Sequence, residues 1–595
     1  MRDEHAYTSG DDSLPIVPAG DSALLVRLSA ETISPRLNAR ALALLAALDA
    51  AALDGVRDYT PAYASLLISF DPAVTTRAAV ADAVRAAWRA TQGRGRRSAA
   101  RGVVCVPVRY GGAAGFDLDE VARLTGLSAA EVVHRHASAE YRVYFLGFLA
   151  GYPYLGGLPA SLAVPRLENP RTRVPAGSVA IAERQTGVYP VESPGGWRVI
   201  GRTALRVFDP RRFPPAAFAP GDRVRFVPVE DDIGEASAEG EPTGAEGEPP
   251  RAGPPTPDAT AWLRVERAGP LTTVQDLGRW GYARYGVTPG GAADAEALRA
   301  GNALVGNRPD AAALEITLGG ARFTVLEPCL LALTGARCPA TLNGRHLTPE
   351  TAVWAAAGGE LALGQATAGL RAYICVAGGV AAPSILGSRS TDLRGGFGGR
   401  DGRALRQGDV VWRENMDTSR DLGGDAPRTI ARRGALPAAG GCWMLRVTLG
   451  PESEVAPAGV AALLEQEFVV SSRSDRMGLR LGAEDGGAIP DGGQILSAGT
   501  PRGAIQLPPG GEPVILGADG QTTGGYRTPL VVASVDWWRV GQARPGDHVR
   551  LRLIDDDEAA EAARRERAGL AGSAPTGQTL DMALLMRGFA EWSDG

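Results

Sequence analysis

The sequence predicts a mainly β protein that begins with a small α+β domain, and three observations lead to this prediction. The 595 residues include 78 glycines and 43 prolines, more than a helical bundle tolerates. Strand-like and helix-like patterns alternate in the order βαββαβ over residues 15–110, which is the ferredoxin-like split motif. A Gly-Asp turn precedes an alternating strand at three later points, so we expect three related β-barrel-like units.

Each element of the first domain follows from the spacing of its apolar residues. Alternating apolar residues predict strands, and apolar residues at helical spacing predict helices. The predicted elements are a strand at 21–28, a helix at 35–52, strands at 56–63 and 65–70, a helix at 73–90 and a strand at 103–110. We therefore assign residues 15–110 to a ferredoxin-like α+β domain.

The rest of the chain divides at a segment of unusual composition. Residues 230–260 are dominated by Glu, Gly, Pro and Ala, which cannot bury a core, so we predict a disordered linker there. The Gly-Asp turns each end a β-rich stretch of the chain. We assign β units to residues 111–229, 261–415 and 440–555, and a helical tail to residues 556–595.

Charge and composition argue against several classes of function. A net charge of −5 gives no support to a nucleic-acid or anionic-membrane partner. None of the 62 basic residues is a lysine, so the chain has no Schiff-base lysine, no Walker-A lysine and no biotin-carrying lysine. The sequence has no run of about twenty uncharged apolar residues, and its first residues lack the signal-peptide pattern. We expect a cytoplasmic protein that does not enter the membrane.

Cysteine and histidine spacing does not indicate a metal site. The five cysteines lie far apart without a CxxC pair, which favours isolated core thiols. His134 and His136 are two residues apart, and no third ligand follows at a convincing spacing. We therefore predict no metal.

Several Gly- and Pro-rich runs combine aromatic residues with Arg, Gln and Thr. Glycines allow the backbone to approach a ligand closely, and Arg, Gln and backbone N–H groups suit carboxylate or amide oxygens. Asp276 and Asp475 could act as bases or orient an arginine, and could equally be turn caps or surface ion pairs. The runs therefore predict either a binding pocket or a tightly turned β scaffold.

Two long segments resemble known families at the level of motifs. Residues 141–203 resemble the signature of the 5-oxoprolinase B subunit, the allophanate-hydrolase-subunit-1-like family. Residues 265–551 resemble the 5-oxoprolinase C subunit, the subunit-2-like or biotin-dependent-carboxyltransferase-related family, through the runs TTVQDLGR, LGSRST, SDRMG, GAIQ and QTTGGY. The chain is thus similar to a fusion of the B and C subunits.

The resemblance implies a fold and a reaction. It implies three cyclophilin-like β-barrel domains after the ferredoxin-like domain. It also implies that the chain acts with a separate A subunit in the ATP-dependent opening of 5-oxo-L-proline to L-glutamate. The alternatives are a carboxyltransferase component that accepts the carboxyl group from biotin on a separate carrier and passes it to urea or an amide, and a non-catalytic protein that regulates a kinase.

The resemblance also selects candidate site residues. The candidate catalytic residues are Asp276, Arg279, Asp475 and Arg476. The candidate substrate-binding residues are Arg173, Gln185 and Tyr189 in the first half and Gln275, Ser474, Gln506, Gln521 and Thr522 in the second half.

Three positions depart from the family pattern. Ala150 stands where the B subunit usually has proline, Gly290 where the C subunit usually has serine, and Gly520 where the same C-type family often has arginine. These changes shift the expected substrate preference or retune the loops, while the other motifs are intact.

Overall fold

The computed structural model describes residues 14–92, 102–230, 255–415, 436–484 and 492–572. Most of the linker predicted at 230–260 and the part of the predicted tail beyond residue 572 lie outside these ranges. Within them, none of the helices has both the length and the apolar character that crossing a membrane requires.

The first domain is a four-stranded antiparallel sheet with two helices on one face. Its elements are β1 (Ile16–Pro18), β2 (Ala23–Arg27), α1 (Pro35–Ala51), β3 (Val56–Pro61), β4 (Ser65–Phe70) and α2 (Arg77–Thr91). The sheet order is β1-β2-β4-β3. Ser34 and Thr76 begin the two helices by accepting the backbone N–H three residues later, as N-cap side chains do.

The second domain is a closed seven-stranded barrel. Its elements are β5 (Val103–Tyr110), α3 (Leu118–Thr125), α4 (Ala129–Ser138), β6 (Tyr141–Leu146), β7 (Pro153–Gly156), β8 (Arg171–Val174), β9 (Ser178–Ala182), β10 (Gln185–Val188), β11 (Ser193–Gly195), β12 (Arg198–Arg202) and β13 (Arg223–Pro228). The barrel order is β10-β7-β6-β13-β5-β12-β9, and β8 pairs with β11 apart from it.

The placement of strand β5 in the first domain was wrong. The strand forms at the predicted residues, but it pairs in parallel with β13 and antiparallel with β12, so it belongs to the barrel. Val106 and Val108 are buried in the barrel core. The sheet edge that the ferredoxin-like motif leaves for its last strand is occupied by β1, which pairs with β2. The α+β domain therefore ends before residue 102.

The third domain consists of two sheets rather than the single barrel that the sequence predicted. Its elements are β14 (Thr260–Arg267), β15 (Leu271–Gln275), α5 (Ala295–Leu304), β16 (Ala313–Thr317), β17 (Arg322–Val325), β18 (Cys329–Arg337), β19 (Ala340–Leu342), β20 (Arg345–His346), β21 (Ala352–Ala355), β22 (Glu360–Leu363), β23 (Ala368–Val376), β24 (Val380–Ala381) and β25 (Val410–Arg413). Sheets β20-β19-β22-β17-β14-β25-β24 and β15-β16-β23-β18-β21 share one core. Trp262 and Phe323 enter this core from the first sheet, and Ile316 and Ile374 from the second.

The fourth domain is a second barrel. Its elements are β26 (Cys442–Leu449), α6 (Pro457–Glu465), β27 (Phe468–Val470), β28 (Gly478–Ala483), β29 (Gln494–Gly499), β30 (Ala504–Leu507), β31 (Val514–Leu516), β32 (Thr523–Val532), α7 (Trp537–Gln542), β33 (His548–Leu553) and α8 (Asp556–Gly572). The order is β26-β33-β27-β28-β31-β30-β32-β29, and pairing of β26 with β32 closes a ring of seven strands.

The two barrels have the same strand order, and the Gly-Asp turns mark related positions. In each barrel the last strand pairs in parallel with the first, as β13 does with β5 and β33 with β26. The turn carboxylates of Asp222, Asp409 and Asp547 each accept the backbone N–H of the residue three positions earlier, at 2.8, 2.7 and 3.1 Å. The repeated turn is therefore a real structural repeat, although β25 pairs antiparallel with β14 in the two-sheet domain.

The loop at residues 277–291 of the third domain is held by the first domain. The carboxylate of Asp58 is 3% exposed and accepts the backbone N–H groups of Gly281 at 2.9 Å and Ala283 at 3.1 Å. Arg284 donates two hydrogen bonds to Asp49, at 3.0 and 2.7 Å. The first barrel holds the same loop from another side, because the backbone N–H of Gly151 donates to the carbonyl of Tyr285 at 2.7 Å.

A buried charge network joins the third domain to the fourth. Arg476 donates to Glu315, to both oxygens of Asp519 at 2.7 and 2.9 Å, and to the carbonyl of Gly291 at 2.6 Å. Burial alone would raise the pKa of Glu315, but Arg476 and Arg371 lower it, so the carboxylate is charged. All three nitrogens of Arg476 are therefore occupied within the protein.

Replacement of Asp58 tests the clamp, by which we mean the hydrogen bonds from the backbone of the 277–291 loop to the Asp58 carboxylate. Burial raises the pKa of the Asp58 carboxyl from 3.8 to about 6, against the N–H bonds of Gly281 and Ala283 that lower it. The folded chain therefore holds a proton that the unfolded chain releases, and the contribution of Asp58 to the free energy of unfolding falls by about 2 kcal/mol as pH rises from 4 to 6. Urea unfolding should show this decline in the wild type relative to Asp58→Asn. The exposed Asp82→Asn should follow the wild type, and parallel curves for Asp58→Asn would contradict the prediction.

Replacement of Arg476 tests the second network. Arg476→Ala leaves Glu315 buried without its main partner, so we expect the free energy of unfolding to fall by about 3–5 kcal/mol. The matched control is Arg473→Ala, because Arg473 is 62% exposed and pairs with Glu512 at the surface, where such a pair contributes about 1 kcal/mol or less. Equal losses in the two variants, measured by urea unfolding, would show that the buried network does not stabilise the domain contact.

Candidate functional site

A cleft lies where the first, third and fourth domains meet. The first domain and the third-domain loop form one side, and the fourth-domain segments 500–502 and 516–522 form the other. Polar and aromatic side chains of the lining include Arg57, Asp58, Trp280, Arg502, Gln521 and Thr522. Both halves of the chain therefore contribute to one concave surface.

Arg502 is the main cationic group of the cleft. Its guanidinium makes one hydrogen bond to the described residues, from Nη2 to the carbonyl of Ala293 at 3.1 Å, and lies 4.9 Å from the ring centre of Trp537. Burial lowers the pKa of Arg502 to about 10, and repulsion from Arg476 adds to this effect. An anion in the cleft would offset both costs, so the position suits a carboxylate or another oxyanion.

The opposite wall carries a second arginine on an aromatic ring. Arg57 lies 5.0 Å from the ring centre of Trp280 and pairs with Asp71 at 2.6 Å. The neighbouring Asp58 fixes the loop that carries Trp280. This wall is therefore preorganised by the contact between the first and third domains.

Amide and hydroxyl groups converge at the fourth-domain side of the cleft. Thr522 is 5% exposed, and its Oγ1 is buried without a hydrogen-bond partner among the described residues. The same holds for Nε2 of Gln506. A side chain at Gly524 would bring its Cβ within 2.6 Å of Nε2 of Gln506 and 3.1 Å of Nε2 of Gln521, so the glycine lets both amides approach. These groups can donate hydrogen bonds to a carbonyl oxygen.

Five candidate residues predicted from the sequence lie in or beside the cleft. Gln521 and Thr522 line it, and Gln506 lies behind them at Gly524. Asp475 and Arg476 line a small adjoining cavity that shares Arg502 with the cleft.

Asp276 holds two family motifs together. Its carboxylate accepts hydrogen bonds from the backbone N–H of Gly278 at 2.8 Å, from the hydroxyls of Ser388 and Ser390 at 2.6 Å each, and from the backbone N–H of Arg389 at 2.6 Å. Both oxygens are therefore occupied, and the LGSRST run is fixed against the TTVQDLGR run.

Gln275 and Arg279 lie in the same buried motif. Gln275 donates to Thr273 at 3.0 Å and to the carbonyl of Thr391 at 3.3 Å. Arg279 is 1% exposed, lies 4.9 Å from the ring centre of Phe397, and has no hydrogen-bond partner for Nε and Nη1 among the described residues. Burial lowers the pKa of Arg279, and nearby aspartates oppose this shift.

Ser474 and Asp475 form turns. Asp475 is exposed, and its carboxylate accepts the backbone N–H of Met477 at 2.8 Å and of Gly478 at 3.2 Å. Ser474 accepts the backbone N–H of Arg480 at 3.0 Å. These contacts orient the segment from which Arg476 enters the buried network.

The three candidates of the first half lie outside the cleft lining. Arg173 is 77% exposed and pairs with Glu192 at 2.6 Å. Gln185 is buried in β10, and Tyr189 packs against Tyr152 with ring centres 5.2 Å apart. Their roles in substrate binding stay predictions.

His134 and His136 differ in burial. His136 is fully buried between the hydroxyls of Tyr110 at 2.8 Å and Thr186 at 3.1 Å. Burial lowers its pKa to about 3, so the imidazole is neutral. His136 is thus a core residue.

A different set of possible metal ligands meets on the fourth domain. Glu467, Glu484 and His548 place one ligand atom each within 4.8 Å of the others. Spacing along the chain does not indicate this set, because the three residues come from separate strand ends. Arg550 binds Glu467, so a surface ion-pair network accounts for the arrangement.

Arg57, Asp58, Trp280 and Arg502 were missed as site residues. Arg502 directly precedes the GAIQ run, which is the signal that could have identified it. Trp280 directly follows the TTVQDLGR run and could have been identified in the same way, whereas Arg57 and Asp58 lie outside the family motifs and reach the cleft through a contact between domains.

Family models match both halves of the chain. The model described as carboxyltransferase domain, subdomain C and D, matches residues 14–218, and the model for subdomain A and B matches residues 285–553.

Relatives of known name match the two halves separately. The 5-oxoprolinase B subunit of Bacillus subtilis (strain 168) is 38% identical over 36% of this chain and 91% of its own length. A shorter match to the B subunit of Escherichia coli O157:H7 is 56% identical and spans 59% of that protein. The 5-oxoprolinase C subunit of Escherichia coli (strain K12) is 36% identical over 50% of this chain and 94% of its own length. Urea amidolyase of Lachancea kluyveri is 34% identical over 49% of this chain but only 17% of its own length.

A solved structure matches almost the whole chain. The crystal structure of TTHA0988 superposes with a TM-score of 0.77 at 36% identity, covering 89% of this chain and 99% of that one. Together with the matches to both 5-oxoprolinase subunits, this shows that the chain belongs to the carboxyltransferase-domain family as a fusion of a portion similar to the B subunit of 5-oxoprolinase and a portion similar to its C subunit.

Proposed function

We propose that the chain is the fused B/C component of an ATP-dependent 5-oxoprolinase, which opens 5-oxo-L-proline to L-glutamate together with a separate A subunit. The observation that carries this proposal is Arg502, a largely buried cation with a single acceptor among the described residues, in a cleft that both halves form. 5-Oxoproline carries one carboxylate beside its lactam. Pairing of that carboxylate with Arg502 would place the ring in the cleft.

The cleft offers neutral donors for the lactam oxygen. The Thr522 hydroxyl and the Gln521 amide line the cleft along with Arg502. Hydrogen bonds from these groups would stabilise negative charge that develops on the oxygen when water adds to the carbonyl carbon. Breaking the C–N bond and protonating the nitrogen then gives the open amino acid.

ATP would supply the activation that a lactam requires, because amide resonance makes its carbonyl a poor electrophile. The lactam oxygen would take the terminal phosphoryl group with release of ADP, water would add to the carbonyl carbon as the C–N bond breaks, and a second water would release phosphate from the resulting acyl phosphate. The chain has no lysine, so any contact of this chain with phosphate groups rests on arginine and backbone N–H groups. Arg57, which also lines the cleft, is of the type that such a contact needs. The A subunit is the proposed partner in nucleotide binding.

A second candidate is carboxyl transfer from biotin on a separate carrier to urea or a related amide. The observation in its favour is that both matching family models are carboxyltransferase domains. Urea is neutral, but the carboxyl group carried by biotin and the carboxylated product are anions that Arg502 would also suit. The reaction catalysed, rather than the charge of Arg502, therefore distinguishes the two candidates.

Arg502→Gln tests the proposed carboxylate contact. With the A subunit present, we expect kcat/KM for 5-oxoproline to fall about 100-fold, because a charge-assisted bond of about 2–3 kcal/mol is lost. Turnover of 2-pyrrolidone, which has the same ring without the carboxylate, should change little. The matched control is Arg308→Gln, an 84% exposed arginine outside the cleft. Equal losses on both substrates would remove Arg502 from carboxylate recognition.

The reaction itself is tested by ATP-dependent release of glutamate from 5-oxoproline, with and without the A-like subunit of the same organism. We expect turnover only when both proteins are present. Without turnover in either case the proposed function fails, and transfer from a carboxylated biotin carrier to urea becomes the next reaction to assay.

A further inference from the structure

A loop of the first barrel exposes an aromatic ring to solvent. The loop runs from Phe208 to Ala216 between β12 and β13, and Phe213 at its tip is 80% exposed. It is the most exposed of the large apolar side chains in the described part of the chain. An ordered phenylalanine in water is costly, and side chains of this type anchor protein interfaces when they enter a pocket.

The base of the loop is closed by hydrogen bonds. Phe208 and Ala216 form an isolated antiparallel bridge. Asp209 accepts the backbone N–H of Arg211 at 3.0 Å through its side chain and that of Arg212 at 3.1 Å through its carbonyl, and its own N–H donates to Pro215 at 2.7 Å. Because the conformation is fixed in advance, a partner would lose little entropy in ordering the loop.

The loop is basic in an acidic protein. Residues 208–216 contain two arginines and one aspartate, a net charge of +1, whereas the whole chain carries −5. Arg211 and Arg212 are exposed, and no ion pair found among the described residues involves either of them. Two cationic groups therefore flank the exposed ring.

We propose that the Phe208–Ala216 loop docks on a protein partner that offers an apolar pocket with an acidic rim. Phe213 would fill the pocket, and Arg211 and Arg212 would face the rim. This proposal rests on the proposed function, which requires a separate subunit, and that subunit is the partner to which we assign the pocket. None of the loop residues lines the cleft, so the loop can bind a partner without blocking it.

Binding of the full-length chain to the purified A-like subunit, measured by calorimetry, tests the docking loop. Phe213→Ala should raise Kd about 30-fold, as expected for an interface anchor, without changing the unfolding temperature. The double variant Arg211→Gln/Arg212→Gln should slow association about 10-fold at low salt, since rim charges act mainly on that rate. The matched control is Val455→Ala, which alters a 61% exposed apolar residue on the fourth domain and should bind as the wild type does.

The outcomes separate the two proposals. A Kd for Phe213→Ala within twofold of the wild type would overturn the docking loop, as would a finding that Phe213 is needed only for self-association of this chain. A complex that depends on Phe213 but turns over no 5-oxoproline would support the docking loop and contradict the proposed function. Absence of any complex with the wild-type chain would overturn both.

Discussion

The buried carboxylate of Asp58 is the contact on which one wall of the cleft depends. Burying a charge is costly, and here the backbone N–H groups of Gly281 and Ala283 offset part of that cost. Both bonds go to the loop that carries Trp280, so they also hold this residue in the cleft lining. Because one wall of the cleft is this clamped loop, neither half would form the cleft alone.

Two nearby arginines, Arg476 and Arg502, have different roles. The number of hydrogen-bond acceptors around each guanidinium determines its role. Each nitrogen of Arg476 donates to a carboxylate, and Nη2 also donates to a carbonyl, so Arg476 is a structural link between domains. Arg502 has one carbonyl among the described residues and the positive charge of Arg476 nearby. The first is satisfied within the fold, whereas the charge of the second is only partly offset by Asp519 and Glu315, so an acceptor that enters the cleft would stabilise it further.

Sequence patterns predicted those features of the fold that depend on residues close together in the chain. The two helices and strands β2, β3 and β4 of the first domain, like the Gly-Asp turns, follow from spacing and turn chemistry and are confirmed, whereas β1 was not predicted. The partner of the strand at Val103–Tyr110 was not predictable in this way, because alternation shows that a strand has a buried face but not which sheet provides it. The same limit applies to the site. Gln521 and Thr522 belong to a recognisable motif, whereas Asp58 reaches the cleft only through a contact with Gly281, a residue 223 positions further along the chain.

Contacts between the first and last domains explain why one polypeptide can hold this arrangement. Asp21 accepts hydrogen bonds from the backbone N–H and hydroxyl of Ser534, at 3.0 and 2.6 Å, and Arg27 pairs with the nearly buried Glu452. The chain thus returns on itself, and the cleft lies where its first and last domains meet. In separate subunits this closure would depend on concentration, whereas a covalent link makes it an intramolecular step with a high effective concentration. Fusion therefore keeps the composite cleft assembled at dilutions where two chains would separate.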